Sequence, residues 1–341
     1  MSVNNLLRTV YFLFAKIILL EIILRSKIFP KTKLFYSGYG ASFGFGDHVT
    51  FCVNIKKKIN KQGKIFCFSK LQFEVASFFY DKKYIIKSFL ALPKFLNESG
   101  IGFKYLYHDK NFKPTNLISA HNNKISAYLL YYGTEDQIKF IQNKIEESII
   151  STKLKNVLKK KTITLFIKNF SLYSLTNKNI NYQVRQTRDL DKIYKLIKFI
   201  TKQNFNIIIL GTNKDHFIKI IKNKKIINDK NIFLFKNLSK NYSIADQAYL
   251  ANYSSGYVGN GSGSCIFFDI LKKKLLLIDY VNLKYINLWK LNKIFIFKKI
   301  YYKKEKQIKL FDMYTQYKQN NCKIIESTYT EIKIKFIKNF K

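Results

Sequence analysis

The chain has 341 residues, 47% of them hydrophobic, and a formal charge of +40. That is enough for two ordinary domains with their own cores, and it excludes a disordered chain. The charge alone does not make a nucleic-acid binder: lysines are spread through nearly every segment, a solvated basic surface accounts for them, and no specific nucleic-acid partner is expected.

The background composition decides which residues carry information. Of 61 basic residues only four are arginines, and there are 13 glycines and three prolines, as a genome rich in A and T would produce. Eight of the 13 glycines fall in two groups, Gly38, Gly40, Gly44 and Gly46, and Gly256, Gly259, Gly261 and Gly263. Cys52, Cys67, Cys265 and Cys322 show no C-x-x-C spacing and read as buried free thiols. The four histidines are scattered, so no metal site is expected.

Along the chain, residues 1–30 come first. The run VYFLFAKIILLEIIL (10–24) has 13 apolar residues of 15. Lys16 and Glu21 would each cost about 2.5–3.5 kcal/mol in a spanning helix, which argues against a span. They lie about 140° apart around a helix, so the run is not a clean amphipath either. No small-residue cleavage site follows, which disfavours a secretory signal. The expectation is an apolar helix lying on a membrane surface, with a helix packed on the body as the alternative. Arg25, Lys27, Lys31 and Lys33 would hold the rest of the chain on the cytoplasmic side, peripheral to the inner face of the cell membrane.

Next, 33–38 reads as a strand running into the glycines, 47–60 as a helix with Asp47 near its N-terminus, 64–70 as a strand, 71–81 as a helix and 134–151 as a long helix. A second unit follows, with strands at 162–170, 205–213, 231–237, 256–260 and 274–280. Helices at 189–203, 216–224, 243–253 and 262–273 alternate with them. Thr328-x-x-Glu331 is a capping box before a last helix. Alternation of this kind predicts α/β units with parallel sheets and helical crossovers. The expected domains are 1–30, 31–155, 156–322 and a C-terminal helix in 323–341. Two such units facing a cleft would bind a ligand at the C-terminal ends of their strands.

Three stretches carry chemistry. Residues 259–264, GNGSGS, lie between a strand and a helix: glycines admit a ligand to the backbone, and free N–H groups and the Ser262 and Ser264 hydroxyls favour phosphate or carboxylate. A tight turn with a serine cap would use the same residues. Arg185 and Arg188, half of all the arginines, precede a helix, where guanidinium groups suit bidentate anion contacts; a surface ion pair with Asp189 or Asp191 is nearly as good an account. Asp189-Leu190-Asp191 has D-x-D form, but its place in a first turn makes helix stabilisation the better reading. In YSGYGASFGFGD (36–47) no G-K-[ST] follows, which excludes a P-loop, and the second strand ends at Ser69 and Lys70 instead of an acid for a ribose. What remains is a glycine floor, with Gly44 and Gly46, that holds Asp47 and His48 at a cleft, where a carboxylate can act as general base. A helix cap is the alternative.

The G-x-G-D turn after the first strand, together with the glycine- and serine-rich turn of the second unit, resembles the GT-B glycosyltransferases. The likeness is to bacterial enzymes of lipopolysaccharide and surface-polysaccharide synthesis, including the heptosyltransferases. VRQTRDLDKIYKLIKFI with FNIIILG, and IADQAYLANYSSGYVGNGSGSCIFFDILKKKLLLID, resemble the C-terminal half of such enzymes. The resemblance implies two Rossmann-like domains and an inverting, metal-independent transfer from a nucleotide-sugar donor, which is substrate and not cofactor, to a glycan or lipid-linked acceptor. It implies Asp47 as the base. Arg185, Arg188, Lys168 and the turn Gly261, Ser262, Gly263 and Ser264 would hold the diphosphate, Gly211, Thr212 and Asn213 would line the nucleotide pocket, and Asp269 would contact the ribose. An NADP-dependent oxidoreductase and a non-catalytic binder of polyanions or membrane surfaces are the rival expectations.

Overall fold

The computed structural model describes residues 17, 20, 21, 23–36, 45–56, 59, 63–67, 69–89, 117–119, 133–168, 186–211, 216–280, 293–302, 306–307 and 322–341. The chain divides into two units, one up to Lys144 and one from Ile145 onward.

In the first unit, β1 (Lys33–Tyr36) leads to α1 (Phe45–Asn54), β2 (Gly63–Cys67), α2 (Lys70–Phe79), β3 (Ile85–Lys87) and β4 (Leu117–Ser119). The four strands form one parallel sheet in the order β3-β2-β1-β4. Helix α1 begins two residues before the expected Asp47 and stops at Asn54, short of the expected residue 60. Ser69 caps α2 by accepting the Gln72 N–H, and Gln72, Val75, Ala76 and Phe79 form its buried face at i, i+3, i+4 and i+7. Of the N-terminal run 10–24, residues 17, 20, 21, 23 and 24 are described; they are helical, and the helix continues to 28. Among the described residues no helix is long and apolar enough to cross a membrane.

The expected long helix at 134–151 ends early: α3 runs from Glu135 to Glu146, and a separate α4 (Thr152–Leu158) follows beyond the expected range. The break is held by Ser151, whose N–H donates to Asp246 Oδ1 and whose hydroxyl donates to the Leu238 carbonyl. The division between the units falls between Lys144 and Ile145, within α3.

The second unit continues with β5 (Thr162–Phe166), α5 (Asp191–Lys202), β6 (Asn206–Ile209), α6 (His216–Asn223), β7 (Ile232–Leu234), α7 (Phe235–Leu238), α8 (Ile244–Tyr253), β8 (Gly256–Gly259), α9 (Ile266–Ile270), β9 (Lys274–Tyr280) and β10 (Lys293–Phe297). These six strands make a parallel sheet in the order β10-β9-β8-β5-β6-β7. Counted from β5 this is 3-2-1-4-5-6, the order of dinucleotide-binding sheets, and it reverses between β5 and β8. Strands β5, β6 and β9 are mostly apolar and almost wholly buried, as strands covered on both faces tend to be. Helix α5 adds Ile193, Leu196, Ile197 and Ile200 to the core.

Strands β11 (Lys299–Tyr302), β12 (Lys306–Gln307) and β13 (Cys322–Ile325) form a small antiparallel sheet that the sequence does not signal. Helix α10 (Tyr329–Phe340) carries the expected capping box in full. It is part of the second unit's core and not a separate segment, because Phe336 packs edge-on against both Phe199 and Phe205, at 6.0 Å between ring centroids in each case.

Candidate functional site

The reversal of strand order places the ends of β5 and β8 side by side, where sheets of this topology bind ligands. Gly259 ends β8 at φ +151°, and a Cβ there would lie 2.0 Å from the Phe166 carbonyl oxygen of β5, so only glycine allows the two strand ends to come this close. Asn260 follows, fully enclosed. Its N–H donates to Phe166 O at 3.1 Å. Its Oδ1 accepts the Lys168 N–H at 2.6 Å, and its Nδ2 donates to Thr187 Oγ1 at 3.0 Å and to Ile278 O at 3.2 Å. One side chain therefore ties the end of β5, the segment before α5 and strand β9 to the glycine turn.

The turn is a capped turn in its own right. Gly261 gives room to the Tyr280 ring, which a Cβ would meet at 2.5 Å. Ser262 Oγ accepts the Ser264 N–H at 3.2 Å and shares a 2.5 Å hydrogen bond with Ser264 Oγ, while Tyr257 OH reaches Ser264 Oγ at 3.1 Å. A 3₁₀ turn, Gly263–Cys265, then opens the five-residue α9, much shorter than the expected 262–273. The helix ends early because Lys272 turns into the left-handed region at φ +53°. With so short a helix, an anion at this turn would be held by local N–H and hydroxyl groups, which are partly exposed, more than by a helix dipole.

Asp269 does not serve as a ribose contact in this arrangement: it is buried, with Lys293 Nζ 2.5 Å from Oδ1. Burial raises its pKa, and Lys293 opposes that rise. It is a core ion pair.

Segment 186–192 is held by a buried charge network that the sequence reading missed. Lys192 Nζ contacts Asp279 Oδ2 at 2.9 Å and Glu326 Oε2 at 3.0 Å. Asp279, at φ +49°, also accepts from Thr187 Oγ1 at 2.7 Å and from the Ser327 N–H and hydroxyl at 2.9 and 2.8 Å. Glu326 accepts the backbone N–H groups of Arg188 and Asp189 and pairs with Lys298, which also donates to the Gln186 carbonyl. Burial alone would raise the Glu326 pKa, but Lys298, the Arg188 N–H and Lys192 outweigh it and hold the pKa at about 2. Two lysines and two carboxylates compensate one another, so the network positions the loop and leaves no charge over for a ligand.

What the loop presents is Arg188. Asp189 Oδ1 accepts the N–H groups of Asp191 and Lys192, as a helix-capping acid does, and Asp191 pairs with Lys224 at 3.3 Å. Neither acid pairs with Arg188, whose side chain is exposed. Gly211, at the end of β6, is buried and fixed by hydrogen bonds with Tyr242 OH. Arg185, Thr212 and Asn213 lie outside the described residues.

In the first unit, Asp47 occupies the first turn of α1, just past the end of β1 and the glycine stretch. Its side chain, and Gly38, Gly40 and Gly44, lie outside the described residues. Gly46 is buried, and its carbonyl accepts the Thr50 hydroxyl at 2.9 Å. His48 points into the core. It is fully buried, with Nε2 2.9 Å from the Gln72 carbonyl and its ring stacked on Phe51. Burial lowers its pKa to about 4, the Gln72 hydrogen bond opposing. His48, fully buried and bonded to Gln72, is therefore a core residue joining α1 to α2 and not a reacting group at an open site.

No family model matches the chain, and no curated protein does. Among solved structures it is similar to a glycosyl transferase of family 9 from Veillonella parvula DSM 2008, at 9% identity over 78% of this chain and 85% of that one, with a TM-score of 0.45. It is similar to the Escherichia coli ADP-heptose lipopolysaccharide heptosyltransferase II, at 12% identity over 78% and 90% of the two chains and a TM-score of 0.44. It is also similar to E. coli heptosyltransferase WaaC with ADP-2-deoxy-2-fluoro heptose, at 8% identity over 90% and 99%, with a TM-score of 0.43.

Chemically, the second unit offers a partly exposed turn of N–H and hydroxyl donors. Asn260, next to that turn, is bonded to Thr187, next to the exposed guanidinium of Arg188. Such a set suits a phosphate or diphosphate. No group of three or more metal-ligating side chains occurs among the described residues. Of the residues that build the site, Asn260, Thr187, Lys192, Asp279 and Glu326, two left a local signal: Asp279 near the end of the apolar run of β9 and Asn260 just after β8.

Proposed function

We propose that the protein is a GT-B-type glycosyltransferase that moves a sugar from a nucleotide-sugar donor to a glycan or lipid-linked acceptor. The observation that carries this is the coincidence of the strand-order reversal in the second unit with the 259–264 turn and the Arg188 loop, both locked there by Asn260. The donor is assigned to that unit, its diphosphate on the 261–264 N–H and hydroxyl groups with Arg188 and Arg185. The first unit is assigned the acceptor, with Asp47 as base.

In this mechanism Asp47 takes the proton of the acceptor hydroxyl as its oxygen attacks the anomeric carbon. The bond from that carbon to the diphosphate oxygen breaks on the opposite side, which inverts the centre. The negative charge that develops on the leaving diphosphate is met by the guanidinium and the turn's N–H groups. An NADP-dependent oxidoreductase, with its cofactor on the first glycine cluster, is less well supported: no acid follows the second strand of that unit for a ribose, and Ser69, near the ribose-binding position, is occupied as the cap of α2.

The test is a thermal-shift panel on the full chain with UDP, ADP, GDP, CMP, their common sugars and NADPH. Stabilisation by one nucleoside diphosphate, lost in Arg188→Ala combined with Ser262→Ala and Ser264→Ala, is expected. Stabilisation by NADPH alone, or by nothing, overturns the assignment.

A further inference from the structure

Among the described helical residues near the N-terminus, one acid faces inward while four apolar side chains face outward. Glu21, Ile23 and Ser26 are buried. Glu21 Oε1 accepts the Phe89 N–H at 3.0 Å and the Arg25 Nε–H at 2.9 Å, and Oε2 accepts the Ser88 hydroxyl. By contrast, Ile17, Leu20, Leu24 and Ile28 are 47%, 56%, 52% and 67% exposed. At 3.6 residues per turn these four fall within an arc of about 80°. The acid that spoiled the amphipathic pattern in the sequence is thus removed from the outer face by its bonds to Ser88 and Phe89. A helix that only packed on its own body would bury these four apolar residues.

Cations stand beside this face. Arg25 lies 4.3 Å from the centroid of the Phe89 ring, which is 84% exposed, and Lys64 Nζ lies 5.3 Å from the ring of Phe29, which follows the helix. Lys27, Lys31 and Lys33 are exposed. An apolar stripe edged by aromatic rings and cations, with its one acid turned inward, matches an anionic bilayer surface.

We propose that this face docks the protein on an anionic membrane surface, Ile17, Leu20, Leu24 and Ile28 entering the acyl boundary and the neighbouring cations meeting headgroup phosphates. The inference does not rest on the transferase assignment, and its test does not read nucleotide binding, so either can fail alone.

The experiment is co-sedimentation of the full chain with vesicles of phosphatidylcholine alone or mixed with phosphatidylglycerol, at low and high salt. The wild type is compared with Leu20→Asn combined with Leu24→Asn, and with Leu24→Asn alone should the pair unfold. Binding to the mixed vesicles that weakens at least about tenfold in the variant and falls with salt, at unchanged melting temperature, is expected. Equal retention of wild type and variant, or no binding to either vesicle, overturns it. So does a concentration-dependent dimer in sedimentation velocity that the same variant abolishes, which would give the face to a second copy of the chain.

Discussion

Lys192 Nζ lies 2.9 Å from Asp279 Oδ2, with the two side chains 2% and 0% exposed. One residue is in the first turn of α5 and the other is the penultimate residue of β9, so the pair fastens a helix start to a strand end. Through Thr187 and Glu326 it also sets the course of the loop that carries Arg188. Asp279 holds a left-handed backbone conformation, unusual for a residue other than glycine, and its carboxylate bonds to Ser327, Thr187 and Lys192 are what hold it there.

Removing one partner of this pair leaves a buried charge unmatched. Lys192→Met is expected to cost about 3–5 kcal/mol in urea unfolding. Combining Lys192→Met with Asp279→Asn should cost less than the sum of the two single changes, because the second removes the charge that the first stranded. Single costs that simply add would show that the pair is not energetically coupled.

His48 makes stability depend on pH. Its pKa in the fold is about 4, below the ordinary 6.5, so the unfolded chain takes up the proton first as pH falls. The contribution is fully present above about pH 6.5 and is lost progressively toward pH 4, at most about 3 kcal/mol over that window. His48→Gln, which keeps a donor for the Gln72 carbonyl, should flatten this part of the stability–pH profile measured by urea unfolding. An unchanged slope between pH 6.5 and 4 would remove His48 from the account.

Asp47→Asn keeps the size of the side chain and removes its basicity. Transfer should fall by about 10² to 10⁴-fold, the range for loss of a general base, while the thermal shift produced by the donor nucleotide stays the same. Full transfer activity in the variant would mean that another group takes the proton. Lost nucleotide binding would place Asp47 with the donor instead.

Much of the second unit was legible because its signals are local. The alternation of apolar runs with 3.6-period segments places β5 to β9 and their helices within a few residues, and the Thr328–Glu331 capping box needs only neighbours three apart. The glycine turn stood out because glycine is rare in this chain, and the structure supplies a plain reason for Gly259, the contact with Phe166 O. The same signals could not say whether Ser262 and Ser264 face a ligand or each other. In the structure they bond to each other first.

The sequence by itself determined the α/β class, the parallel crossover pattern and the neighbourhood of the second-unit site, since periodicity, caps and turns act over a few residues. Tertiary structure alone decided the strand order with its reversal at β5 and β8. It also decided the burial of His48 and Asp269, and the Asn260–Thr187 and Thr187–Asp279 bonds, whose partners lie 73 and 92 residues apart. Glu21 shows the reason in one residue. In the sequence it interrupts an apolar run, and only the positions of Ser88 and Phe89, far along the chain, decide that it faces inward and leaves the stripe beside it apolar. Pairings at such separation depend on where the sheet brings the chain back, which no local pattern encodes.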